Sequence, residues 1–357
     1  MDRRKKWNHS ARAAVLSWAL TFLVLQVGLS VSLDTWLQEW RDPHYTARHE
    51  CFSRQVERHP DRPVIVVVGS SRTMNGLCPA SLTDDERQPV LVNWGFPGHT
   101  PLHVALRAER LLSESPRPSA LVLEIVPAFL NSPWTEPGPI STLAHRWDDL
   151  PTATRLVPVA HLERAWSDAR IIPWFSYRRN ILDWCFPAWQ PAGERNDTFW
   201  RKIDDWGWFP TLATGPSLEA RQQTVAGFTS MLKKPEIHPD QMRGLRSILA
   251  TCRRENMPTA MLMMPESPAL RTSYGPGTRA GLNAALQNLA DEFGVQLIDA
   301  RDWFDTEDVF CDGHHLVPVG ARLFTARFAE EVVPRLLHGG VETRVGMVPA
   351  ADATQSK

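Results

Sequence analysis

Five stretches of the chain are apolar without alternation: residues 64–68, all of them Val or Ile, and further runs at 89–93, 120–126, 259–264 and 295–298. A strand that is apolar on both faces belongs inside a parallel sheet covered on either side by helices. Between or after these runs, residues 102–112, 241–255, 279–293 and 319–336 carry apolar positions at helical spacing. Parallel neighbours need crossover connections, so strands alternating with helices predict an α/β, three-layer, flavodoxin-like domain around a parallel five-stranded sheet.

The pattern changes character at the amino terminus. Arg3, Arg4, Lys5 and Lys6 precede a run over residues 13–33 in which Gln26 is the only strongly polar side chain. At a helical rise of about 1.5 Å per residue this run spans roughly the 30 Å of bilayer hydrocarbon. It predicts a single transmembrane helix, and the basic flank predicts a cytoplasmic start with everything after Asp34 outside the cytoplasm. A cleaved secretory signal is the alternative: Ser30 and Ser32 are small, but no Ala-x-Ala site follows and the run is longer than a usual signal core.

The organisation that follows is a basic cytoplasmic segment over 1–12, an anchor over 13–33, a polar stalk over 35–62, the α/β domain over 63–336 and a small, polar, loose tail over 337–357. Residues 131–239 interrupt the domain. They are too many for an ordinary loop and hold nine of the fifteen tryptophans, which predicts a Trp-rich helical insertion covering one edge of the sheet. Its aromatics either form a core of their own or offer a platform for sugar rings or lipid headgroups.

Charge and cysteine content narrow the function classes. Thirty-nine Lys and Arg against forty Asp and Glu leave a formal charge of -1, a balance that gives no argument for sequence-independent nucleic-acid binding, which needs a basic surface. The five cysteines (Cys51, Cys78, Cys185, Cys252, Cys311) show no CxxC spacing, which argues against structural zinc. An oxidising compartment allows one or two disulfides; buried free thiols are the plainer reading. No cofactor or metal is expected.

In an open parallel sheet, reactive groups gather where the strands end. The first run passes directly into Gly69-Ser70-Ser71-Arg72, placing a serine at the mouth of the crevice beside a nascent helix. The second is followed by Asn93-Trp94-Gly95-Phe96-Pro97-Gly98, a glycine-punctuated loop able to bring backbone N–H groups to an oxyanion. The fifth is followed by Asp312-Gly313-His314-His315, where a carboxylate three residues before an imidazole can orient it as a base for a hydroxyl. At the exit of the fourth run, Glu266, Arg271 and Tyr274, together with Arg72 and Asn93, are candidate substrate-binding residues.

These three blocks, in this order and at these strand ends, resemble the SGNH or GDSL esterase and acyltransferase superfamily over roughly residues 62–130 and 240–336. The resemblance implies Ser71 as nucleophile, His315 as base, Asp312 as its partner, and the Ser71 and Gly98 amides as oxyanion donors. One block departs. The family's Gly-x-Asn-Asp after the third strand is replaced by Glu124-Ile125-Val126-Pro127-Ala128, with Asn131 as the nearest amide side chain. Losing such a donor costs about 2.7 to 4 kcal/mol of transition-state stabilisation. With its anchor, the chain also looks like the D-alanyl transfer protein of teichoic acid modification and the cell-surface polysaccharide O-acetyltransferase partners. That likeness implies an extracytoplasmic glycan or acyl-ester substrate and a membrane-bound O-acyltransferase partner. A catalytically idle module that binds glycan or a partner is the competing expectation.

Overall fold

The computed structural model describes residues 2–82, 88–131, 150–156, 159–191, 195–211, 215–233 and 236–342. Residues 132–149 of the expected insertion and the tail beyond 342 lie outside the described residues. The chain forms two compact units, one of Met1–Ser53 with Pro133–Asp204 and one of Arg54–Ser132 with Asp205–Lys357.

The second unit is built on five strands, β1 (Val64–Gly69), β2 (Val90–Gly95), β3 (Ala120–Glu124), β4 (Thr259–Met263) and β5 (Gln296–Asp299). They lie in the order β2-β1-β3-β4-β5 and every pairing is parallel. The apolar runs made this outcome necessary, because every residue of β1 to β4 is buried, as only a sheet covered on both faces permits. The edge strand β5 is shorter and half-buried, and carries the polar Gln296 and Asp299.

Alternate residues feed the two faces. Ile65, Val67, Leu91, Val122 and Leu262 pack with Ala321, Phe324 and Phe328 of the helix Pro318–Glu331. Val66, Val68, Leu121 and Leu123 are equally buried. The helix Pro101–Ser113 packs on β1 and β3, with Pro239–Arg254 against it. All three of these helices begin with proline, whose missing N–H costs nothing at a first helical position. The single helix expected over 319–336 is instead two, Pro318–Glu331 and Val333–Glu342, because Pro334 has no N–H to continue the first.

Since all strands run the same way, their carboxyl ends share one edge. The chain leaves β1 for β2 on one side and returns to β3 on the other, so the order switches at β1. Such a switch point opens a crevice outside the strand ends.

In the first unit the helix Asp2–Thr35 contains a stretch, Ala11–Thr35, long and apolar enough to cross a membrane; a secretory signal has the same property. Its far end is packed: Leu33 joins Ala169, Tyr177 and Ile181 in a cluster that Leu29, Leu37, Trp40 and Cys185 extend. Apart from Leu29 of the same helix and Leu37, the N-cap of the short helix Gln38–Arg41, those partners come from the helices Val159–Ile171 and Pro173–Cys185 and from Gln38–Arg41. All five cysteines are free thiols.

Candidate active site

The extended run of β1 stops at Gly69 and turns at once into a short helix, Ser71–Gly76. Ser70 is its N-cap, with extended backbone and Oγ accepting from the Arg72 N–H at 3.1 Å. Capping therefore occupies Ser70 and releases Ser71, whose hydroxyl lies 2.8 Å from His315 Nε2. His315 Nδ1 in turn lies 2.7 Å from Asp312 Oδ2. The other oxygen of Asp312 accepts the backbone N–H groups of His314 and His315 at 3.2 and 2.9 Å.

The turn carrying Asp312 and His315 is clamped at its base by an antiparallel bridge between Phe310 and Leu316 and by Cys311 N–H donating to the His315 carbonyl at 2.9 Å. Gly313 sits inside it at φ 96°, a conformation that a side chain would strain.

Electrostatics set the direction of the proton. Burial alone would raise Asp312, but the hydrogen bond from His315 and the neighbouring imidazoles outweigh it and hold the carboxyl well below its ordinary range. A carboxylate can only accept, so His315 Nδ1 carries the hydrogen and Nε2 is left to accept from the Ser71 hydroxyl. His314 lies against His315, ring centroids 3.8 Å apart, with Phe228 edge-on at 5.0 Å. Burial first, then the imidazole of His315 beside it, pushes His314 well below its ordinary value. Burial pushes the Cys311 thiol up to about 11.

Glu124, at the end of β3, escaped the sequence reading. It is fully buried beneath the serine turn and accepts four hydrogen bonds, from Ser70 N–H at 2.6 Å, Ser70 Oγ at 2.9 Å, Thr73 N–H at 3.3 Å and Thr73 Oγ1 at 2.6 Å. Its signal was a lone acid in the otherwise apolar run 120–126, since a buried carboxylate needs donors around it. Gly69 is the consequence on β1, because a Cβ there would stand 2.2 Å from Glu124 Oε2 and 2.1 Å from Thr73 Oγ1.

The candidate substrate-binding residues are corrected. Asn93 does not face the crevice: fully buried, it donates from Nδ2 to the carbonyls of Thr73, Met74 and Leu77 at 2.8, 3.2 and 2.7 Å and accepts from Gly95 N–H at 3.0 Å. Those carbonyls end the serine helix, where those of Thr73 and Met74 also accept from the Leu77 and Phe209 N–H groups at 3.0 and 3.2 Å. Arg72 also points inward, donating to the Met264 and Pro265 carbonyls at 2.8 and 2.7 Å with Glu266 Oε1 at 3.7 Å. Glu266 is buried and accepts from the Tyr274 hydroxyl at 2.9 Å, which itself receives Arg301 Nη1 at 3.3 Å. Burial, opposed by Arg72 and Arg301, raises Glu266, and burial raises Tyr274 as well. Arg271 is engaged by the Arg301 carbonyl, Asp302 and Asp305. These four residues tie the serine helix and the β4 exit to the loop after β5. The Asn131 amide donates to the Met231 carbonyl.

Gly98 is exposed on the exit loop of β2 at φ 70°, three residues beyond Gly95, which pairs with Gly69. Among the described residues, Cys311, Asp312 and His315 bring ligand-type atoms within 4.8 Å of one another, but both imidazole nitrogens of His315 are already engaged.

A family model matches residues 228–337, the part that contributes Asp312 and His315. No curated protein matches. Solved structures that match include AlinE4, a SGNH-hydrolase family esterase, at 13% identity and TM-score 0.31, covering 77% of this chain and 97% of that one. The AlinE4 mutant S13A matches at 12% identity and TM-score 0.29, over 77% of this chain and 96% of its own.

Proposed function

We propose that the protein is an extracytoplasmic serine acyltransferase or esterase that acts on a cell-envelope glycan through an acyl-serine intermediate. The observation that carries this reading is the line of contacts from Ser71 Oγ through His315 to Asp312, at 2.8 and 2.7 Å. Ser71 Oγ attacks the acyl carbonyl while its proton passes to His315 Nε2, and Asp312 stabilises the imidazolium that results. The Ser71 and Gly98 N–H groups receive the negative charge on the former carbonyl oxygen. As the tetrahedral intermediate collapses, His315 returns the proton to the leaving oxygen, and Ser71 keeps the acyl group. An acceptor hydroxyl then attacks that ester, giving its proton to His315, and the bond from the acyl carbon to Ser71 Oγ breaks as His315 returns that proton to Oγ; water in place of the acceptor makes the reaction hydrolysis.

The β3 exit supplies Glu124, Ile125, Val126, Pro127 and Ala128 where a side-chain amide would complete the oxyanion site. Acylation of small activated esters is accordingly slow, and turnover depends on a glycan acceptor whose binding energy provides orientation. The apolar helix and its basic start support anchoring with the α/β unit outside the cytoplasm, near a membrane-bound O-acyltransferase able to deliver acyl groups. The same missing amide favours a second reading, an idle glycan- or partner-binding module.

A fluorophosphonate probe separates the two. Covalent labelling of the full chain, lost in Ser71→Ala and in His315→Ala, is the expected result. Wild-type protein that stays unlabelled, or Ser71→Ala protein that fully supports glycan acylation in cells, would leave the binding module as the better account.

A further inference from the structure

In the first unit, large apolar side chains are exposed together rather than scattered. Ile171, Ile172, Trp174 and Phe175 are 66, 43, 53 and 58% exposed, and Trp36 is 74% exposed. Single exposed apolar residues are ordinary, but four within five positions mark a contact surface.

Their place in the fold says which contact. Asp34 is the first charged residue after Arg12, so it marks where the apolar run ends. Arg170, immediately before the exposed group, pairs with Asp34, which Arg41 also reaches at 2.7 Å. Ala169 before the group and Tyr177 after it both pack with Leu33, so residues 171–175 are held from both sides at the end of the apolar helix. On the helix Pro173–Cys185 the inward face is Pro173, Tyr177 and Ile181, while Trp174, Phe175, Arg178 and Arg179 face outward. The Arg178 guanidinium stacks over the Phe175 ring at 4.0 Å.

We propose that residues 171–175, with Trp36, enter the headgroup layer of the bilayer that the N-terminal helix crosses, giving the first unit an interfacial anchor beside its transmembrane one. Aromatic rings with an apolar body and a polar edge concentrate at that layer, and arginines on the same face meet lipid phosphates while their stems stay apolar. The helix end and the turn then form one membrane-facing element, and the packing of Leu33 on Ala169, Tyr177 and Ile181 makes the helix a structural part of the unit. This inference is independent of the chemistry at Ser71.

Photolabelling of the full chain tests it. The protein is reconstituted in phosphatidylcholine and phosphatidylglycerol vesicles containing a phospholipid with a diazirine near the glycerol end of its acyl chain, irradiated and digested with trypsin. Cleavage after Arg170 and Arg178 isolates residues 171–178, and cleavage after Arg12 and Arg41 isolates 13–41. Adducts are expected on both peptides. In a variant combining Ile172→Ser, Trp174→Ser and Phe175→Ser, labelling of 171–178 should fall by about tenfold or more while that of 13–41 persists, showing that the helix still inserts. Labelling of wild-type 171–178 no higher than that of peptides from the α/β unit overturns the proposal, whether or not 13–41 is labelled. A protein partner covering the turn would give that outcome.

Discussion

Glu124 governs how Ser71 is presented, although it touches neither His315 nor the crevice hydroxyl. It gathers the donors of Ser70 and Thr73 on either side of Ser71, so the turn has one geometry. Removing it strands those donors in a dry interior at about 1 to 3 kcal/mol each, partly relieved by relaxation. Glu124→Ala is therefore expected to lower unfolding free energy by about 3 kcal/mol or more, read from denaturant titration. Glu124→Gln keeps the shape and one acceptor oxygen. It should stay folded yet slow fluorophosphonate labelling of Ser71 by about tenfold, with no change in the pH midpoint of the reaction, because the His315 to Asp312 contact is untouched. A shifted midpoint would mean that Glu124 acts through the base and not through the serine turn.

At the scale of elements, the serine helix is only Ser71–Gly76, too short to be stable by itself, and tertiary contacts hold it at each end. Glu124 lies under its start, Asn93 satisfies its last carbonyls, and Arg72 fastens it to the β4 exit. Its backbone rests on β2 at Gly95, where a Cβ would stand 2.2 Å from Met74 N and 2.5 Å from Met74 Cα. Those are backbone atoms, so Gly95→Ala must displace the helix. A loss of about 2 to 3 kcal/mol in stability and a hundredfold or greater fall in Ser71 labelling are expected, by analogy with overpacked cores and misplaced reacting groups. Asn93→Leu should cost about 2 to 3 kcal/mol through the lost hydrogen bonds to the Leu77 carbonyl and from the Gly95 N–H, with kcat reduced and KM for an ester substrate nearly unchanged. A selective rise in KM would restore Asn93 as a substrate contact. The strands, helices and serine turn were legible because each rests on local periodicity or a short motif. The roles of Asn93, Arg72, Glu266 and Tyr274 were not, because a polar residue at a strand exit looks the same in sequence whether it turns toward the crevice or beneath it.

For the whole molecule, the buried histidines set the response to acid. Burial, reinforced by Arg107, lowers His103 to about 3, and its Nδ1 receives the Thr100 N–H at 3.2 Å. A group whose native pKa is depressed leaves the unfolded chain to take the proton first. Stability therefore falls as pH drops below about 6.5, by about 1.4 kcal/mol per pH unit for one such histidine. His314 acts in the same direction, and Asp312 joins it only below the ordinary carboxylate range. Glu266, raised by burial, acts oppositely as pH falls through its raised value. The contribution of His103 is isolated by difference: between pH 7.5 and 5, wild type should lose about 2 kcal/mol more stability than His103→Gln, measured by urea unfolding in detergent. Parallel losses in the two proteins would show that His103 takes up its proton in the native state.

The sequence by itself determined the strands of the parallel sheet and the apolar N-terminal helix, because unbroken apolar runs and helical spacing are local properties of a chain; its short polar blocks pointed to Ser71, Asp312 and His315 only through the family they resemble. Tertiary structure alone decided that the trio stands within hydrogen-bonding distance, that Glu124 lies beneath the serine turn, and that the end of the apolar helix packs with residues more than a hundred positions away. Such arrangements depend on which distant segments share a surface. Buried donors and acceptors must find partners, and their partners here come from other strands and helices.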